Sequence, residues 1–188
     1  MRLFIALTFP DEILDALERL QEGIPLGRLV PRENFHLTLA FLGEVDLREV
    51  EPLDDALERL AADVFPVTLH GIGAFETPRA LVIWAGVRPN PALEALHRKV
   101  RAAIHASGLM TGRERFRPHV TLARVQGQFA SGDTARIAAV LSGFATRELG
   151  DFVAQGLDLI RSHRGTKGSH HEVLAHYPFA DAIPESWT

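Results

Sequence analysis

The stretch 34–45, NFHLTLAFLGEV, decides how this chain is read, because its core His36-Leu37-Thr38-Leu39 returns as His119-Val120-Thr121-Leu122 inside RFRPHVTLARV at 115–125. In both places apolar and polar residues alternate, the mark of a strand whose successive side chains point to opposite faces. In the first copy Phe35, Leu37, Leu39 and Phe41 are expected on a buried face, with His36, Thr38 and Ala40 on the other. In the second, Val120 and Leu122 face the core while His119, Thr121 and Ala123 face outward. Two such strands side by side place two imidazoles and two hydroxyls around one pocket, with the small alanines leaving space for a ligand. That set suits a phosphate ester: one ring takes a proton, the other gives one, and hydroxyls hold the non-bridging oxygens. Spacing alone does not say which histidine does which.

Working outward, short apolar strands alternate with amphipathic helical stretches, which indicates an α/β or α+β fold. Residues 1–9 read as a buried first strand, and 11–21 as a helix through Ile13, Leu14, Leu17 and Leu20. Strand 35–42 is followed by a helix over 47–62 that tolerates Pro52, then by strands 67–72 and 80–87 separated by a turn-rich 73–79. The clearest helix is 91–107, with Leu93, Leu96, Val100 and Ile104 on one side and Gly108 behind it. Strand 119–125, a helix over 133–141, and closing strands over 152–160 and 172–179 complete the order. Each tetrapeptide sits on a strand followed by a helix, which points to a duplication with pseudo-twofold symmetry. Neither a low-complexity segment nor a linker divides the halves, so 1–188 is expected to form a single unit.

Composition narrows the chemistry. With 188 residues, 46% of them hydrophobic, the chain can bury a proper core. The absence of cysteine removes disulfides, thiolate zinc sites and Cys nucleophiles, and fits a reducing compartment. The apolar opening stops at Pro10-Asp11-Glu12, too short for a signal-peptide core or a membrane span, so a cytoplasmic protein with no membrane partner is expected. A net charge of −4 argues against indiscriminate binding to long nucleic acid, yet leaves room for a local basic groove from Arg113, Arg115, Arg117, Arg124, Arg161, Arg164 and Lys167. Of the other histidines, His97 and His105 are expected solvated on the long helix. His163, His170, His171 and His176 lack a recognised metal-ligand spacing and are read as surface or substrate-edge residues.

The stretches 2–10 (RLFIALTFP), 34–45, 115–125 and 157–162 resemble, in this order, the two-histidine phosphoesterases, in particular the bacterial and archaeal RNA 2′,3′-cyclic phosphodiesterases also known as LigT-like 2′-5′ RNA ligases. The resemblance covers nearly the whole chain. It implies an α+β bilobal fold, two antiparallel sheets flanked by helices with pseudo-twofold symmetry around a central cleft. It also implies that His36 is the general acid and His119 the general base, with Thr38 and Thr121 on the phosphate oxygens. Arg124 matches a position commonly Arg in the family, although regular alternation from His119 turns it to the opposite face. His171 stands where several relatives carry Tyr.

The expected reaction is metal-independent and cofactor-free hydrolysis of 2′,3′-cyclic phosphate ends of RNA, or of cyclic nucleotides, to 2′-phosphomonoesters by a monomer. ATP-independent 2′-5′ ligation is its reversal. The rival readings are a non-catalytic nucleotide- or RNA-binding module on the same scaffold and a metal-dependent hydrolase built on the C-terminal histidines.

Overall fold

A computed structural model describes every residue except 79, 113–114, 127–131, 166–167 and 181–188. The chain opens with β1 (Arg2–Leu7), buried along nearly its whole length as expected, and α1 (Asp11–Gln21), whose first turn is acidic and whose Ile13, Leu17 and Leu20 face the core. A two-residue β2 (Arg28–Leu29) and a 3-10 turn (Arg32–Asn34) lead into β3 (Leu37–Glu44). Next comes α2 (Leu47–Glu58), started by a capping box between Asp46 and Glu49. It ends at Glu58, earlier than its apolar pattern suggests, and the carbonyls of Ala61 and Ala62 beyond it accept from Lys99 Nζ and the Ala180 amide.

β4 (Phe65–Thr77) and β5 (Ala80–Val87) form a hairpin. The expected turn over 73–79 is largely strand. Gly73 serves packing there, since a Cβ at that position would collide with the Trp84 indole across the hairpin. α3 (Pro91–Ala106) is capped by Asn90, whose Oδ1 accepts the Ala92 and Leu93 amides, and it buries Leu93, Leu96, Val100 and Ile104. Then follow β6 (His119–Val125), α4 (Asp133–Phe144), β7 (Glu148–Ala154), β8 (Gly156–Gly165) and β9 (Gly168–Pro178). The single strand expected over 152–160 is in fact two. The chain leaves β4's side at β7 and joins β1 at β8, and the Gln155 carbonyl between them accepts the Phe179 amide.

Among the described residues the pairings between β1 to β9 are antiparallel, in the order β7-β4-β5-β6-β3-β1-β8-β9, with β2 on β6. The two expected sheets are therefore two four-stranded halves, joined where β3 meets β6 through one residue pair, Leu37 with Val120. Beyond that point the edge of β6 pairs with β2, so the strands carrying the two tetrapeptides splay apart. Helices tie the halves together: α1, which follows β1, packs on β6 and β7, and α3 packs on both β3 and β4.

Candidate active site

Each tetrapeptide ends in a β-bulge. On β3, Thr38 pairs with Ala6 and Ala40 with Ile5, so Leu39 has no partner across from it. On β6, Thr121 pairs with Trp84 and Ala123 with Ile83, so Leu122 is likewise extra. An extra residue in one strand shifts the alternation of everything after it. Ala40 and Ala123, expected beside the ligand, turn into the core at 8% and 0% exposure. The next residues, Phe41 and Arg124, turn the other way and line the cleft with His36, Thr38, His119 and Thr121. This corrects two expectations: Phe41, read as core, is 48% exposed, and Arg124 shares the face of His119. Phe41 and Arg124 are thus counterparts, each five residues after its histidine.

The histidines are held alike. His36 Nδ1 lies 2.7 Å from the Asn34 carbonyl, and His119 Nδ1 lies 2.7 Å from the Arg117 carbonyl. A carbonyl can only accept, so both Nδ1 atoms carry hydrogen and Nε2 is the nitrogen left for chemistry. His36 is wedged between Phe4 and His171, with ring centroids 4.7 and 5.1 Å away, and His119 lies edge-on to Phe75 at 5.0 Å. Burial pushes His36 down to about 4; the Asn34 carbonyl opposes this, and repulsion from the Arg124 guanidinium and from the His171 and His119 rings when they are protonated adds to it. His119 is lowered in the same way, by burial first, against the Arg117 carbonyl and with Arg124. Both rings are therefore neutral in the empty cleft near pH 7.

The cleft encloses about 390 Å³, and its described lining includes Arg2, Arg28, Arg124 and Arg164 with no carboxylate. Such a site favours an anion. Of the described residues of the basic groove expected from sequence, Arg124 and Arg164 face this cleft. Arg115 and Arg117 line a neighbouring one, Arg161 lies 4.0 Å from Glu172, and Arg113 and Lys167 lie outside the described residues. Sequence reasoning missed Arg2, which packs 4.4 Å over the Phe41 ring, and Arg28 on the short β2. A Cβ at Gly168 would occupy the place of the Arg28 guanidinium, and that glycine was the available signal. Also missed was Asn34, buried, whose backbone orients His36 while its Nδ2 donates to the Ser169 carbonyl at 2.8 Å.

The remaining histidines have separate occupations. His171 joins the cleft against His36 and Phe4. His163 pairs with Glu172 at 2.7 Å, and His176 donates from Nδ1 to buried Asp158 at 2.6 Å. His97, expected solvated, stacks flat on Phe116 at 4.0 Å. Among the described residues, no group of three or more His, Asp or Glu is arranged to hold a metal ion.

The chain is similar in sequence and fold to known proteins. The model of the 2′-5′ RNA ligase superfamily matches residues 9–166. An RNA 2′,3′-cyclic phosphodiesterase of Geobacillus stearothermophilus is 35% identical over 128 residues, 64% of this chain, and the match spans 41% of that relative's length. An Archaeoglobus fulgidus protein of the same name is 26% identical over 93% of this chain and 98% of its own. A crystal structure of E. coli LigT complexed with 3′-AMP superposes with a TM-score of 0.78 at 26% identity, covering 96% of this chain and 98% of LigT.

Proposed function

The chain belongs to the 2′-5′ RNA ligase superfamily, and from that premise we propose that it hydrolyses RNA 2′,3′-cyclic phosphate ends to 2′-phosphomonoesters by acid–base catalysis between His36 and His119. The observation that carries this reading is the shared cleft, without a carboxylate in its described lining, in which two histidines of like tautomer line the wall with two threonines and Arg124. The cyclic phosphate sits between the two Nε2 atoms, with Thr38, Thr121 and Arg124 on its non-bridging oxygens. Neutral His119 takes a proton from water as the water oxygen bonds to phosphorus. The P–O3′ bond breaks in line, and protonated His36 delivers its proton to the departing 3′-oxygen. His36, neutral in the empty cleft, gains that proton because the bound phosphate anion offsets the desolvation that lowers it. Each transfer supplies roughly 10²–10⁴-fold.

The same groups run backwards join a 2′,3′-cyclic end to a 5′-hydroxyl without ATP. The reading takes the chain as a monomer, a single catalytic unit over 1–188, acting in the cytoplasm on RNA ends or free cyclic nucleotides. Among the described residues no helix is long and apolar enough to cross a membrane. The test is incubation with an oligonucleotide ending in a 2′,3′-cyclic phosphate and identification of the product. A 2′-phosphate is expected; binding without turnover would instead establish a nucleic-acid-binding module.

A further inference from the structure

A second cleft of about 670 Å³ opens beside the first and shares Thr38, Phe41 and His119 with it. Away from that junction it is lined by Phe75, Phe116, Arg101, Arg115 and Arg117, and its described lining holds no carboxylate. Phe116 is set flat against His97, with the planes 6° apart. Phe75 stacks on Trp84 at 4.8 Å, and the Arg117 guanidinium lies 6.0 Å over the Phe75 ring. Aromatic faces interleaved with guanidinium groups are what a single-stranded nucleic acid requires: stacking for bases, charge for phosphates. A water nucleophile needs neither.

The placement of the two clefts decides what enters each. His36 borders only the first, whereas His119 borders both. In-line displacement puts the entering and leaving oxygens on opposite sides of phosphorus. Resting on the assignment of His36 as acid and His119 as base, the departing 3′-oxygen and the RNA that carries it occupy the first cleft, near Arg2, Arg28 and Arg164. The nucleophile then comes to His119 from the second. We propose that the second cleft is the binding site for an RNA strand ending in a 5′-hydroxyl, the acceptor in 2′-5′ ligation. Its 5′-oxygen bonds to phosphorus while His119 takes the hydroxyl proton. The P–O3′ bond breaks and His36 protonates the 3′-oxygen, leaving a 2′-5′ phosphodiester and a free 3′-hydroxyl. By holding the strand beside the base, the cleft raises its effective concentration against solvent water.

The experiment compares the unaltered protein with the exposed charge reversal Arg115→Glu and with Arg101→Gln. Three activities are measured: hydrolysis of a 2′,3′-cyclic mononucleotide, hydrolysis of a cyclic-ended oligonucleotide, and ligation of that oligonucleotide to a 5′-hydroxyl oligonucleotide. The acceptor KM in ligation should rise roughly tenfold, the loss of about one charged contact, while both hydrolyses stay within about twofold. Thermal melts show whether the variants fold. A parallel fall in hydrolysis of the cyclic-ended oligonucleotide would put the RNA body in the second cleft and overturn the proposal. So would an unchanged acceptor KM, or an unaltered protein that hydrolyses but joins nothing at saturating acceptor. An unaltered protein that cleaves no cyclic phosphate would instead sink the underlying functional reading.

Discussion

The buried amide of Gln21, at the end of α1, donates from Nε2 to the carbonyl of Leu122 at 2.7 Å, one hundred and one residues away in sequence. Leu122 is the extra residue of the β6 bulge, and the same Nε2 also donates to Val30 at 2.9 Å. A helix side chain thus braces the irregularity that turns Arg124 toward the cleft. Gln21→Leu should lower stability by about 1–3 kcal/mol, the cost of leaving buried carbonyls short of a donor, read from the urea midpoint. It should also weaken binding of a nucleoside 2′-phosphate; unchanged affinity in the folded variant would show that the bulge holds Arg124 without this brace.

His36→Ala and His119→Ala should each reduce kcat by roughly 10²–10⁴-fold, with the melting temperature little changed because both rings line the cleft and neither belongs to the hydrophobic core. Thr38→Ala and Thr121→Ala should cost less, on the order of tenfold, as single hydrogen bonds to a charged oxygen do. Near-normal turnover in either histidine variant would end the acid–base assignment.

Acidity should act on both stability and binding. His36 falls to about 4 in the fold from an ordinary value near 6.5, so between these limits the unfolded chain binds more protons than the native one. Stability is therefore full above about pH 6.5 and declines as pH drops toward 4, with the lowered His119 and His171 acting in the same direction. A bound phosphate reverses the bias by favouring the protonated rings. Nucleoside 2′-phosphate affinity should consequently rise on going from pH 8 to 6, with net proton uptake when calorimetry is repeated in buffers of different ionisation enthalpy. Proton release on binding would contradict the assignment.

Hydrolysis should proceed at the same rate in excess chelator, since Arg124, the threonines and the two imidazoles supply the charge stabilisation and proton transfers the reaction needs. Loss of rate with chelator and recovery on adding a divalent ion would transfer the chemistry to a metal-dependent reading. That reading would have to recruit histidines that here face Glu172 and Asp158.

Arg124→Lys should recover only part of the rate lost in Arg124→Ala, because an ammonium provides charge without the planar pair of donors a guanidinium offers two phosphate oxygens. Equal rates for Lys and Arg would reduce this residue to a simple counter-charge.

The sequence alone determined whatever depends on neighbours a few residues apart. Alternation identified both tetrapeptide strands and put His36 with Thr38 and His119 with Thr121, while the spacing of Leu93, Leu96, Val100 and Ile104 marked α3. Where the reading failed, a distant partner was responsible. Gly73 looked like a turn until Trp84 took its space, and Gln155 looked like mid-strand until β4 and β1 claimed opposite sides of it. The bulges at Leu39 and Leu122 exist only in the register against β1 and β5, so no local pattern could show that Phe41 and Arg124 turn inward. Tertiary structure alone brought Arg2, Arg28, Asn34 and His171 to the same cleft, because strand pairing, unlike the helical repeat, is set by contacts between segments far apart along the chain.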